Sequence, residues 1–369
     1  MSSPPLMAFH APYPLDPNPT AASRLRPLRM RQAFMDLGYE VVDLTGTVAQ
    51  RRAALRDLRS RLRAGTRLEL LYSENSTQPN ALATSVKDGF APRLDYAIMR
   101  QAHRHRVPVG VFYRDAYWRV PETRSSGVRG ALIPALQRLD LVGYRRNKVH
   151  FFLPSEPMSK LVGLGGGDSF SALPPATDPG RVLGLPPPGD GLNLVYVGGL
   201  GGHYDLGVFL QSLTSVPGVH LDLVTRPEQW QAAVRTMPEL SSAAVSVHHK
   251  HAGELAPLYA GSHIGVLAVR PSAYRDIAVP VKLFEYIGYG RPIIATRGTE
   301  AGRIVEANGV GWVVDHERSA LTNLLIHLRD HPQEVADRAG AAGRMAESNT
   351  WADRARTVRD VLTGAGATG

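Results

Sequence analysis

The stretch AVPVKLFEYIGYGRPIIAT, residues 278–296, decides how the chain is read. Its spacing predicts a helix running into a short strand. Pro280 suits a first helical turn, where its missing N–H would lack a partner anyway. Gly290 suits the stop. Lys282 and Glu285, three residues apart, share one face with Tyr286 and Tyr289 nearby, while Leu283, Phe284 and Ile287 take the other. Two readings stand for the charged pair. One is a surface ion pair on an amphipathic helix, contributing roughly 0.3–0.5 kcal/mol. The other is a buried mouth, where the carboxylate accepts two hydrogen bonds from a ribose diol and the lysine or the helix N-terminus holds a diphosphate.

Outward from this stretch, the chain alternates between strand-like and helix-like segments. LMAFHAP (6–12), YEVVDLTG (39–46), LELLYSEN (68–75), VPVGVFYRD (107–115) and HFFLPSE (150–156) read as strands, with helices at 22–38, 50–64 and 93–106 between them. GLGGGDS (163–169) reads as a glycine-rich loop, and the Pro- and Gly-rich run at 176–191 as a linker. The alternation restarts with LNLVYVGGLGG and continues through HLDLVTRP, AVSVHH, HIGVLAVRP, PIIATRG and GVGWVVD, and two helices close the chain. Such alternation predicts parallel sheets with crossover helices, and 369 residues favour two domains over one core.

Composition excludes several chemistries. The absence of cysteine removes a disulfide scaffold, a thiol nucleophile and a Cys-ligated metal. There is no G-x-S-x-G elbow, Walker A sequence or Asp-x-Asp pair. HRH (103–105) and HHKH (248–251) lack zincin spacing. The opening residues lack a signal peptide pattern, and no run of roughly 18 apolar residues predicts a spanning helix, so a cytoplasmic protein is expected. The net charge of +9 is uneven: residues 1–180 hold 25 Lys and Arg against 15 Asp and Glu, and the remainder 17 against 18. Nucleic acid, an anionic membrane face, an acidic substrate or plain solvent could each face that basic half. The charge lacks the interleaved aromatic platforms of a nucleic-acid binder, and no nucleic-acid partner is expected.

In open parallel sheets ligands bind beyond the carboxyl ends of strands. His10, Ser73–Asn75, Arg114 and Asp115 follow strands of the first half. Gly198, Gly199, Gly201, Gly202 and His203, then Thr225 and Arg226, Arg270, and Thr296 with Thr299 follow strands of the second. GGLGGH is a tight turn and not a dinucleotide fingerprint, although its N–H groups could meet a phosphate.

The run KLFEYIGYGRPIIAT with TEAGRIVEANGVGWVV (299–314), GGLGG (198–202) and HKHAGELAPLYAGSHIGVL (249–267) resembles the GT-B glycosyltransferases, and within them the retaining glycosyltransferase family 4. The resemblance implies an α/β fold of two Rossmann-like domains facing each other across a cleft. Residues 1–178 would take the acceptor and 179–350 the nucleotide sugar, with 351–369 a helix returning to the first domain. It implies transfer of a sugar from a UDP-, GDP- or TDP-sugar to a glycan, lipid-linked or small-molecule acceptor, without a metal or a tightly bound cofactor. Glu285 would bind the ribose hydroxyls, and Gly199, Gly201 and Gly202 would admit the diphosphate. Thr225, Thr299 and Glu300 would lie by the nucleotide, the last two on a loop. Asp115 and Arg114 would serve the acceptor and the reacting carbon. The chain departs from the family where a first acidic residue would stand, at Ile277, and where an Arg and a Lys would follow the first strand of the second domain. Arg226, Lys282 or Arg24 is expected to supply that cation. Two readings stand for the Arg51–Arg63 helix: a peripheral contact to an anionic membrane, or a plain solvated face. A sugar-nucleotide 2-epimerase of the same fold and a non-catalytic partner are the alternatives.

Overall fold

The computed structural model describes residues 4–17, 22–84, 86–120, 127–187, 191–201 and 204–365. The chain divides into two compact units, Met1–Pro174 with Trp351–Gly369, and Pro175–Thr350.

In the first unit, β1 (Leu6–His10), β2 (Glu40–Leu44), β3 (Leu70–Glu74), β4 (Val109–Phe112), β5 (His150–Leu153) and β6 (Ser169–Ala172) form one sheet in the order β2-β1-β3-β4-β5-β6. Every pairing is parallel. The crossovers contain α1 (Ala22–Asp36), α2 (Val48–Arg63), α3 (Leu94–Arg104), α4 (Gly127–Arg146) and α5 (Met158–Val162). The central strands are buried on both faces, as covered parallel sheets require.

The second unit repeats the plan. It has β7 (Leu192–Val197), β8 (Val219–Val224), β9 (Val245–His248), β10 (Ile264–Leu267), β11 (Ile293–Thr296) and β12 (Gly311–Val314) in the order β12-β11-β10-β7-β8-β9, again all parallel. Around them lie α6 (Gly207–Leu213), α7 (Pro227–Ala233), α8 (Ala256–Gly261), α9 (Val281–Gly288), α10 (Glu300–Asn308), α11 (Arg318–Asp330) and α12 (Pro332–Glu347). Strand alternation builds the two layers. Leu192, Leu194 and Tyr196 of β7 join the core beneath α6 and α11, while Val195 and Val197 join the core with α9 and α10. α13 (Trp351–Thr363) returns to the first unit, where it packs on α1. There the Arg26 guanidinium lies 3.4 Å from the Phe112 ring centroid and 5.8 Å from that of Trp351.

Four elements differ from the sequence expectations. The 20-residue α4 and the strand β6 were not expected, and β6 follows directly on the glycine-rich loop. Thr299 and Glu300 are not on a loop: Thr299 caps α10 and Glu300 is its first residue. Three helices, not two, follow β12. Tyr286 also leaves the polar face expected for it. It is fully buried, and its hydroxyl accepts the Val197 backbone N–H at 3.0 Å.

Candidate active site

The order of strands places a topological switch in each unit. β7 pairs with β8 on one side and β10 on the other, so the chain diverges outward from between β7 and β10. Loops leaving the carboxyl ends of those strands part there and leave a crevice. An open pocket occupies it, lined by Tyr196 and Val197 from β7, Leu267 and Val269 from the end of β10, and Thr299 beyond β11. Pro280, Lys282 and Ala301 bring the first turns of α9 and α10 to the same wall. Both helix starts present the positive end of a dipole.

Among the described residues, two cations line the pocket and no carboxylate does: Lys282 and Arg275. Arg275 is only 6% exposed. Its guanidinium sits over the Tyr204 ring at 4.4 Å. Its carbonyl accepts the Glu300 N–H at 2.9 Å, which ties it to the start of α10. Tyr204 is held in turn by the glycine turn, since its N–H donates to the Gly201 carbonyl at 3.0 Å. Gly201 adopts φ +80°, a conformation that side chains disfavour. The Gly199 carbonyl accepts the Tyr196 hydroxyl at 2.6 Å. The two loops at the switch are clamped together by Asp205 and Arg270, whose Nε donates at 2.8 Å.

Lys282 Nζ donates to Glu285 Oε2 at 2.5 Å, and Tyr259 donates to Oε1 at 2.8 Å. The pair is mostly buried, at 23% and 20% side-chain exposure, so it is not a solvated surface bridge. Glu285 stands one turn along α9 from the pocket-lining Lys282. A carboxylate has about four acceptor sites, so two remain for a diol. Thr299 lines the pocket, but its hydroxyl is committed: it donates to Thr296 O at 2.7 Å and accepts the Gly302 N–H at 3.0 Å. Glu300 accepts from Arg303 at 2.7 Å, and Arg303 also holds Asp276. Asp276 therefore points to α10, while Ile277 is buried at 9%.

Other expected residues lie apart from this pocket. Thr225 is pinned by its backbone to His248 and His249, and Arg226 is an exposed N-cap of α7. Gly202 and His203 lie outside the described residues. Arg24 belongs to the first unit, exposed and paired with Asp16 at 3.3 Å.

In the first unit, Arg114 and Asp115 follow β4. The Arg114 side chain donates to the Tyr13 hydroxyl at 2.9 Å, and its backbone N–H donates to Asn75 at 2.8 Å. Asp115 accepts from the Thr77 hydroxyl at 2.6 Å. Burial holds the Asp115 carboxyl above its ordinary range, against the opposing pull of the Thr77 bond, Arg114 and the Tyr117 N–H. Behind them Arg26 donates to the fully buried Glu74 at 3.0 Å. Among the described residues no three His, Asp or Glu side chains cluster as metal ligands, and no helix is long and apolar enough to cross a membrane.

Arg275 is the residue the sequence reading missed. Nothing in AYRD (273–276) marks it, because its place depends on Tyr204, far away in the chain. The sequence points only to Arg226, Lys282 and Arg24 for that cation.

A model of the glycosyl transferases group 1 matches residues 191–331. No protein with a curated description matches in sequence. Among solved structures, sucrose-phosphate synthase from Thermosynechococcus elongatus is 11% identical with a TM-score of 0.67, over 99% of this chain and 100% of that one. WaaG, a glycosyltransferase involved in lipopolysaccharide biosynthesis, is 15% identical with a TM-score of 0.60, over 97% and 100%. HepE from Anabaena, in complex with UDP, is 12% identical with a TM-score of 0.66, over 98% and 100%. At such identities the likeness is one of fold. Residues 191–331 thus match the glycosyl transferases group 1, in a chain with the fold of the GT-B glycosyltransferases.

Proposed function

We propose that the chain transfers a sugar from a nucleoside diphosphate donor, held in the pocket at the ends of β7, β10 and β11. One observation carries the reading: two cations, Arg275 and Lys282, and two helix starts converge on a pocket whose lining, among the described residues, holds no carboxylate. A diphosphate is the anion such a wall suits. Glu285, one turn further along α9, takes the ribose hydroxyls, and Gly199 and Gly201 keep the turn before Tyr204 close to the ligand.

The leaving group is the nucleoside diphosphate, and its charge grows as the glycosidic bond breaks. Arg275 and Lys282, fixed before the reaction, stabilise that charge without reorganising. This is why the reaction is proposed to need no metal. Asp115 orients the acceptor hydroxyl or takes its proton. If configuration is retained, as the family resemblance implies, the departing phosphate takes the proton instead. HepE has been solved with UDP and with UDP-glucose, which makes UDP-sugars the first donors to offer.

The test is a thermal-shift screen against UDP-, GDP-, TDP- and ADP-sugars, followed by turnover of the stabilising donor with and without glycan acceptors. Acceptor-dependent release of the nucleoside diphosphate supports transfer. Turnover of the donor alone to its epimer indicates the 2-epimerase, and binding without any turnover indicates a non-catalytic partner. No stabilisation by any of the donors rejects the proposal.

A further inference from the structure

We infer that α4 docks this chain on an anionic lipid surface. The basic α2 is the other candidate contact, and its structure favours the solvated reading. Arg51 is 1% exposed and spent on Gly46 O and Thr84, and Arg61 pairs with Asp57 and Glu40. Its apolar residues Val48, Leu55, Leu58 and Leu62 are all buried, so nothing is left to enter a membrane.

α4 is built the other way. One face, with Gln137, Asp140, Leu141 and Tyr144, packs inward. On the opposite face Leu132 is 46% exposed, Leu139 62% and Val142 41%, with the exposed Ala135 between them. The spacing of 132, 135, 139 and 142 makes one continuous stripe. Around it Arg138, Arg146 and, just past the helix, Lys148 are exposed, whereas Arg145 is held by Asp168 at 2.9 Å. The single carboxylate of α4, Asp140, is 4% exposed and bonded to Tyr96 and the Asn80 N–H. The first unit as a whole holds 28 Lys and Arg against 16 Asp and Glu, a net of +12.

The charge selects the occupant. A stripe of this spacing also suits a partner helix, but a second copy would set arginines against arginines. Four side chains also cover far less than the roughly 800 Å² per partner that a stable dimer buries. An anionic lipid surface satisfies both features: the leucines enter the acyl boundary while the cations meet headgroups.

The experiment is cosedimentation of the full chain with vesicles of phosphatidylcholine alone or mixed with phosphatidylglycerol, at low and raised salt. The wild type is expected on the mixed vesicles at low salt, and less so at raised salt. Leu132→Ser with Leu139→Ser is expected to cut the bound fraction about tenfold. Arg138→Glu with Arg146→Glu should lower it and flatten the salt dependence, while Arg52→Glu with Arg56→Glu on α2 should leave it unchanged. Unaltered circular dichroism and donor titrations keep a folding defect, or a failure of the donor-site reading, distinct from this result. Absence of low-salt binding, wild-type binding by the α4 variants, or loss in the α2 variant overturns the inference. So does a dimer in sedimentation velocity that Leu139→Ser dissolves, which would make a second copy the occupant.

Discussion

Removing the Arg275 guanidinium takes from the pocket a cation that water hardly reaches, so its charge is poorly replaced by solvent. Hydrogen bonds to charged groups contribute about 1.5–3 kcal/mol, and Arg275→Ala should weaken nucleoside diphosphate binding roughly 10- to 100-fold. Arg275→Lys should recover part of that, since the charge stays and the fork is lost. Arg226→Ala, at an exposed helix cap, should leave binding near normal. In the first unit, Asp115→Asn should lower kcat about 10²- to 10⁴-fold with the donor KM little changed. Because burial raises the Asp115 pKa, activity should fall on acidification at a pH above the ordinary carboxylate range, and a pH–rate profile reads this directly. Lys282, Thr299 and Glu285 were legible as candidates because helix start and stop chemistry pins their segment. What the spacing could not give was the state of each group: Lys282 and Glu285 bonded to one another, Thr299 spent as a cap, and Arg275 brought in by the ring of Tyr204.

The elements show why the pocket keeps its shape. A Cβ on Gly265 of β10 would sit 2.4 Å from the Tyr286 ring, so α9 lies against the strand only because that residue is glycine. Gly265→Ala should cost about 1–3 kcal/mol and loosen the Tyr286 bond to Val197, read as a lowered denaturation midpoint. On α4, burial raises the Asp140 pKa to about 6. The folded chain therefore holds a proton that the unfolded chain releases near pH 4, and stability is lost as pH rises from about 4 to 6. Asp140→Asn removes that dependence. The stability of wild type relative to the variant should fall across this window by up to about 3 kcal/mol, two units at 1.36 kcal/mol each. Equal pH slopes for the two proteins would show that Asp140 does not titrate so. α4 itself was illegible in the sequence. Pro134 falls inside it, and its apolar residues lie on both faces, so no single periodic stripe stands out. β6 is four residues long after a run of glycines, and it is fixed by tertiary bonds: His150 on β5 meets Ser169 at 2.7 Å and Ser171 at 2.8 Å.

At the scale of the whole chain, the two-unit α/β plan was readable because buried parallel strands and crossover helices leave a repeating pattern, which holds even where sequence identity to known structures is 15% or lower. The unequal charge was readable too, and the units sharpen it to +12 and −3. Which surface that charge serves was not readable, because burial decides which arginines meet solvent. A donor at about 100 times its Kd should add about 2.7 kcal/mol to the second unit and raise its melting by on the order of 5 °C. The most direct measurement is a calorimetric titration of wild type and Arg275→Ala with UDP, or with whichever nucleoside diphosphate the donor screen selects. The pocket described here predicts saturable binding by the wild type without added metal, and a loss of at least about tenfold in the variant. Equal affinities, or binding that appears only with a divalent cation, would contradict it.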